Sequence, residues 1–163
     1  MNRKKYKSSK NIRINHCAVS NYSGSAALNI NTFKETNSLL ESVPVNGVID
    51  RLTQNQSTEI VEVINLNDYC FKNNIEEIDF IKIDAQGNSY NVLIGLNTLL
   101  NLKKIRFLYV EAEFIELYKG EKLFSEIEIL MRNHGYYIID LYNLNYLNKK
   151  KLAWCDILFS APN

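Results

Sequence analysis

The 163-residue chain is 46% hydrophobic and 23% charged with a net charge of +1, a balance that fits one globular domain over 1–163 and argues against disorder. So small a net charge gives no general pull toward nucleic acid or a membrane, and no apolar run approaches the roughly 18 residues of a membrane span. Cys17, Cys70 and Cys155 are odd in number, far apart and without CxxC spacing, so they suggest neither a disulfide framework nor a zinc site; with no apolar segment behind the basic N-terminus, the expected location is the cytoplasm.

Arg3, Lys4, Lys5, Lys7, Lys10 and Arg13 crowd the start of the chain, and residues 1–11 read as a basic, solvated arm without the aromatic or glycine motifs of nucleic-acid binding. "IRINHCAV" (12–19) alternates as a strand does, "NYSG" (21–24) is a turn cluster and "SAALNI" (25–30) is a second short strand, which together predict a hairpin. Residues 31–59 are rich in Asn, Ser, Thr and Gln, include Pro44 and Gly47, and read as a long, mostly irregular polar loop of the kind that is often functional.

From residue 61 the pattern sharpens. "VEVINL" is a strand, "NDYCFKNN" a short helix with Asn67 as its cap, and "IDFIKID" a strand bounded by Gly87. Val92, Leu93, Leu96, Leu99 and Leu100 share one helical face, 104–113 is a strand, and Phe124, Ile127, Leu130 and Met131 form a second helical stripe ending at Gly135. The strands 136–142 and 152–160 close the chain as an antiparallel hairpin. Alternating strands and helices followed by a hairpin predict an α/β fold, a doubly wound and mostly parallel sheet with an antiparallel edge.

Lys82 and Asp84 lie on the same face of the strand 78–84, and an ion is costly to bury without a partner. Either the two pair with each other, or Asp84 serves a ligand. In open parallel sheets ligands bind beyond the carboxyl ends of the strands, which directs attention to 16–20, 84–88 and 110–114. Asp84 precedes Gly87, with Asn88 or Ser89 able to cap the next helix, and Glu111 and Glu113 end an otherwise apolar strand. Two carboxylates at adjacent strand ends suit a base, a metal, or a ligand's hydroxyls and amines. His16 is a weaker candidate for the same pocket, and His134, beside Gly135, reads as structural.

"IDFIKIDAQGNSYNVLIG", followed by "FLYVEAE", "LFSEIEILMRNHGYYIIDLY" and "WCDILF", resembles the C-terminal half of the FkbM family of S-adenosylmethionine-dependent methyltransferases. "INHCAVSNYSGSAAL", "TNSLL" and "VINLNDY" are similar to its upstream pieces, so the resemblance runs from about residue 12 onward. It implies a Rossmann-like, class I methyltransferase fold and methyl transfer from S-adenosylmethionine to a hydroxyl oxygen of a sugar or related metabolite. On the same resemblance Asp84 faces cofactor and substrate, Ala18 and its neighbour Cys17 line the adenine end of the pocket, and Glu111 projects toward the substrate, so that Asp84 or Glu111 takes the proton.

This chain has Gln86 and Ser89 where the family pattern "KIDVEGxE" has glutamates, which argues against a metal or proton-transfer role at that turn. The family's glycine-rich turn after its first strand and the acidic residue after its second would precede residue 1, and no GxG occurs in this sequence. The expectation is therefore an N-terminally truncated fold, and a second reading is a non-catalytic remnant unable to bind the cofactor alone. A missing first strand would leave 78–84 at an open edge, predicting either that 12–19 pairs beside it or that two chains complement each other as a homo-oligomer.

Overall fold

The computed structural model describes residues 11–45 and 48–162, so nearly all of the expected basic arm lies outside the described residues. The elements are β1 (Ala18–Ser20), β2 (Gly24–Asn31), α1 (Val48–Leu52), β3 (Asn55–Asn65), α2 (Leu66–Lys72), β4 (Ile78–Ile83), α3 (Ser89–Ile94), α4 (Asn97–Asn101), β5 (Ile105–Glu113), α5 (Phe124–Asn133), β6 (Tyr137–Leu147) and β7 (Lys151–Ser160). They build two sheets, with strand orders β1-β3-β2 and β4-β5-β7-β6.

This arrangement corrects the predicted doubly wound, mostly parallel, Rossmann-like sheet. Among the described residues only β1 with β3 and β4 with β5 pair in parallel, whereas β2 with β3, β5 with β7 and β6 with β7 are antiparallel. The helical crossover between β5 and β6 had implied parallel neighbours, but β7 lies between those two strands and its backbone satisfies both. The N-terminal hairpin is also corrected: β1 and β2 do not pair with each other, because β3 sits between them.

Nor does 12–19 lie beside β4. Only Ala18–Ser20 of that region is strand, and it pairs with Val63–Asn65 of β3. The segment 31–59 is less irregular than its composition implied, holding a 3₁₀ turn at Lys34–Thr36, α1, and the first five residues of β3, which begins at Asn55. It is tied to β2 through buried Asn29, whose amide donates to the carbonyls of Ser38 and Leu40 at 3.2 and 3.0 Å.

The later elements follow local chemistry. The cap of α2 is Asn65, two residues before the expected Asn67, and its side chain accepts from the Asn67 and Asp68 N–H groups. The leucine stripe is split between α3 and α4, whose junction presses on β1: a Cβ at Gly95 would stand 2.5 Å from the Ser20 carbonyl oxygen. Gly135, at φ +71°, stops α5 as expected.

Leu93, Leu96, Leu100, Leu108, Ile127, Met131 and Phe159 are almost fully buried in one core that joins α3, α4 and α5 to the second sheet. Each such side chain contributes about 1.5–3 kcal/mol when removed from water. Together they fix where the carboxyl ends of β4 and β5 sit.

Candidate functional site

The parallel pairing of β4 and β5, with Lys82 opposite Tyr109 and Ile83 opposite Val110, brings Asp84 level with Glu111. Beyond β4 the chain turns sharply. Gln86 at φ +47° and Gly87 at φ +82° are consecutive left-handed residues. Glycine is needed at 87 for a second reason: a Cβ there would meet Tyr118 at 2.7 Å and a Glu121 carboxylate oxygen at 2.8 Å. The turn continues into α3 through buried Asn88, whose amide donates to the Val19 carbonyl at 2.8 Å and so ties this end of β4 to β1.

Gln86 connects the two predicted carboxylates. Its amide nitrogen donates to Asp84 Oδ1 at 2.8 Å and to Glu111 Oε2 at 3.1 Å, while its Oε1 accepts from the Tyr118 hydroxyl at 2.8 Å. The Gln86 backbone carbonyl accepts from Ser38 Oγ at 2.6 Å, which holds the strained turn against the 31–54 segment. Lys82 pairs with the other oxygen of Asp84 at 2.5 Å.

The carboxyls are driven apart electrostatically. Burial pushes Asp84 upward, but hydrogen bonds from Lys82 and Gln86 outweigh it and hold Asp84 below its usual range. Burial, with the negative charge of Asp84 and Asp156, pushes Glu111 up to about 8. Near neutral pH the pair therefore holds one proton, on Glu111, and one charge, on Asp84. Glu113 is 2% exposed, and burial with Glu121 and Glu111 nearby pushes it up to about 9. Glu121 is raised by burial to about 7, opposed by the Leu117 and Tyr118 N–H groups that its carboxylate accepts.

Two cavities meet at Gln86. The first, about 330 Å³, is lined by Cys17, Ala18, Leu28, Val61, Asp84 and Gln86 among others. The second, about 260 Å³, has Gln86, Glu111, Glu113, Tyr118 and Trp154 in its wall. The structure thus places Cys17, Ala18 and Asp84 around one space, Glu111 in the next, and His16 at the first cavity. His134 is elsewhere, its ring bonded to the Leu130 carbonyl and the Asn97 side chain at 2.8 and 2.9 Å.

Sequence reasoning missed Gln86 as the link, and with it Tyr118, Glu121 and Ser38. The glutamine beside a glycine at a strand end was the one available signal. Among the described residues no group of three or more His, Cys, Asp or Glu side chains is arranged to hold a metal ion.

Over residues 2–138 the chain matches the family described as "Methyltransferase FkbM domain". It belongs to that family. Within this FkbM-family chain, 61 residues are 39% identical to the "2-O-methyltransferase NoeI" of Sinorhizobium fredii (strain NBRC 101917 / NGR234), a match that takes in 37% of the chain and 24% of the relative. The aligned part of the FkbM-family chain thus spans about a quarter of that curated relative's length. No solved structure matches it. Among the described residues no helix is long and apolar enough to cross a membrane.

Proposed function

We propose that this chain acts in S-adenosylmethionine-dependent methyl transfer to a hydroxyl oxygen of a sugar or related metabolite. The observation that carries the reading is the Asp84–Gln86–Glu111 bridge, which stands where the two cavities meet. Family membership and the similarity to a relative named as an O-methyltransferase support the class of reaction.

The residues present fit such a cofactor. The first cavity is within the usual size range for small-molecule sites, has apolar walls at Ala18, Leu28 and Val61, and presents the ionised Asp84 at one side. Ala18, Cys17 and the apolar wall would hold the adenine end, and Asp84 would face the cationic end. When bound, S-adenosylmethionine supplies a methyl group on a sulfonium, which becomes a neutral thioether once the new oxygen–carbon bond has formed.

The protein's own contribution is alignment and one proton transfer. The second cavity orients the acceptor so that its hydroxyl lies at the Gln86 boundary. As the oxygen attacks, its O–H bond breaks and the proton passes to the ionised carboxylate of the Asp84–Glu111 pair. Gln86 holds both carboxyls at fixed positions, and Tyr118 keeps the amide turned so that its N–H groups face them.

Calorimetric titration with S-adenosylmethionine and its demethylated product tests the reading. Micromolar binding that is lost in Asp84→Ala is expected. The absence of heat and of thermal stabilisation at millimolar ligand would overturn it.

A further inference from the structure

The second cavity has a chemical character that hydroxyl recognition alone does not account for. Glu35, Glu111 and Glu113 all stand in its wall, and no lysine, arginine or histidine does among the described residues. Glu113 is 2% exposed, yet among the described residues its Oε2 has no hydrogen-bond partner. A buried polar atom left without a partner is costly, and native proteins seldom retain one unless another group satisfies it.

Directly across the sheet, Trp154 of β7 is the register partner of Glu113 and lines the same cavity. Glu111, two residues earlier on β5, faces the same way. Tyr118 and Phe33 add two more aromatic rings to the wall. Carboxylates beside aromatic faces form the environment that recognises an organic cation: the acids supply charge-assisted hydrogen bonds and the rings supply their negative faces. A hydroxyl would satisfy one lone pair of Glu113, whereas a positive charge would also favour the ionised form of Glu113 and Glu111 that burial opposes.

We infer that this cavity binds its ligand through a protonated amino group, held by Glu113 with Glu111 and faced by Trp154. The inference rests on the reading of this space as the acceptor's. It narrows the acceptor to an amine-bearing molecule, such as an amino sugar, with a hydroxyl to be methylated.

Trp154 is the only tryptophan in the chain, so its fluorescence reports on this cavity alone. The test titrates the protein, without any methyl donor, with glucosamine, glucose and N-acetylglucosamine at a pH below the amino group's pKa. Replacing a neutral hydrogen bond by a charge-assisted one predicts that glucosamine binds about tenfold more tightly than either neutral sugar. Glu113→Gln should bring the three sugars level, and the wild-type comparison stands by itself if that variant does not fold.

Equal affinities in the wild type, a preference for glucose, or no response to any of the three would overturn the inference. A glucosamine preference without S-adenosylmethionine binding would leave the cation site standing and remove the methyl-transfer reading. Cofactor binding without the preference would do the reverse.

Discussion

The Tyr118 hydroxyl donates to Gln86 Oε1 at 2.8 Å across 32 positions of sequence. Without that donor Gln86 Oε1 loses this partner, and the amide is oriented by its two acceptors, Asp84 and Glu111, alone. Tyr118→Phe should therefore destabilise the protein by about 1 kcal/mol, the usual net worth of a neutral hydrogen bond. Urea unfolding reads that loss, and calorimetry should show weaker cofactor binding in the same variant.

Gly87 and Gly120 are both left-handed, at φ +82° and +74°, but among the described residues only Gly87 has neighbours where a Cβ would stand. Gly87→Ala meets the backbone penalty and a clash with Tyr118 and Glu121, for a combined loss of about 2–4 kcal/mol. Gly120→Ala meets only the first, about 1–2 kcal/mol. Thermal melts of the two variants should differ by several degrees in the same direction.

The raised carboxyls make stability fall as pH rises. Glu111, Glu113 and Glu121 start from 4.5 and are raised in the fold to about 8, about 9 and about 7. Between those limits the folded protein holds protons that the unfolded chain has released, so raising the pH favours unfolding. Stability is fully present below about 4.5 for these groups and is lost as each folded value is passed. Each proton contributes a slope of about 1.4 kcal/mol per pH unit inside its window. Chemical denaturation across this range should show the fall, and Glu113→Gln should flatten its upper part.

Lys82 and Asp84 form a close pair, but their side chains are 52% and 40% exposed. Solvent screening limits such a pair to under about 1 kcal/mol. Lys82→Ala should leave the melting temperature nearly unchanged while raising the Asp84 pKa, since burial then acts with less opposition. Carbon-detected NMR titration of the Asp84 carboxyl distinguishes this electrostatic role from a structural one.

Local pattern and long-range pairing were unequally legible. Phe124, Ile127 and Met131 announced α5 because an amphipathic helix writes its buried face at a fixed period. "IDFIKID" announced β4 through alternation, and Asp84 with Glu111 emerged as strand-end carboxylates. The position of β7 between β5 and β6 was hidden, because strand order is decided by contacts such as Tyr109 with Leu158 that no short window contains. Tyr118 was hidden for another reason. It lies in the aperiodic stretch between β5 and α5, where side-chain direction is set by Gly87 and Glu121 packing against it. Gln86 read as a lost charge, whereas its value in the fold is that one amide nitrogen can donate to two acids at once.

The place of β7 in the second sheet also orders events during biosynthesis. The strand that joins β5 to β6 lies nearest the C-terminus of this chain. As the ribosome advances, β5 and β6 emerge with the backbone groups facing this gap unpaired, and the sheet cannot close until Lys151–Ser160 has cleared the exit tunnel. The carboxyl end of β5, and with it Glu111 and Glu113, is therefore assembled late. A nascent chain stalled before residue 151 would display that edge to chaperones.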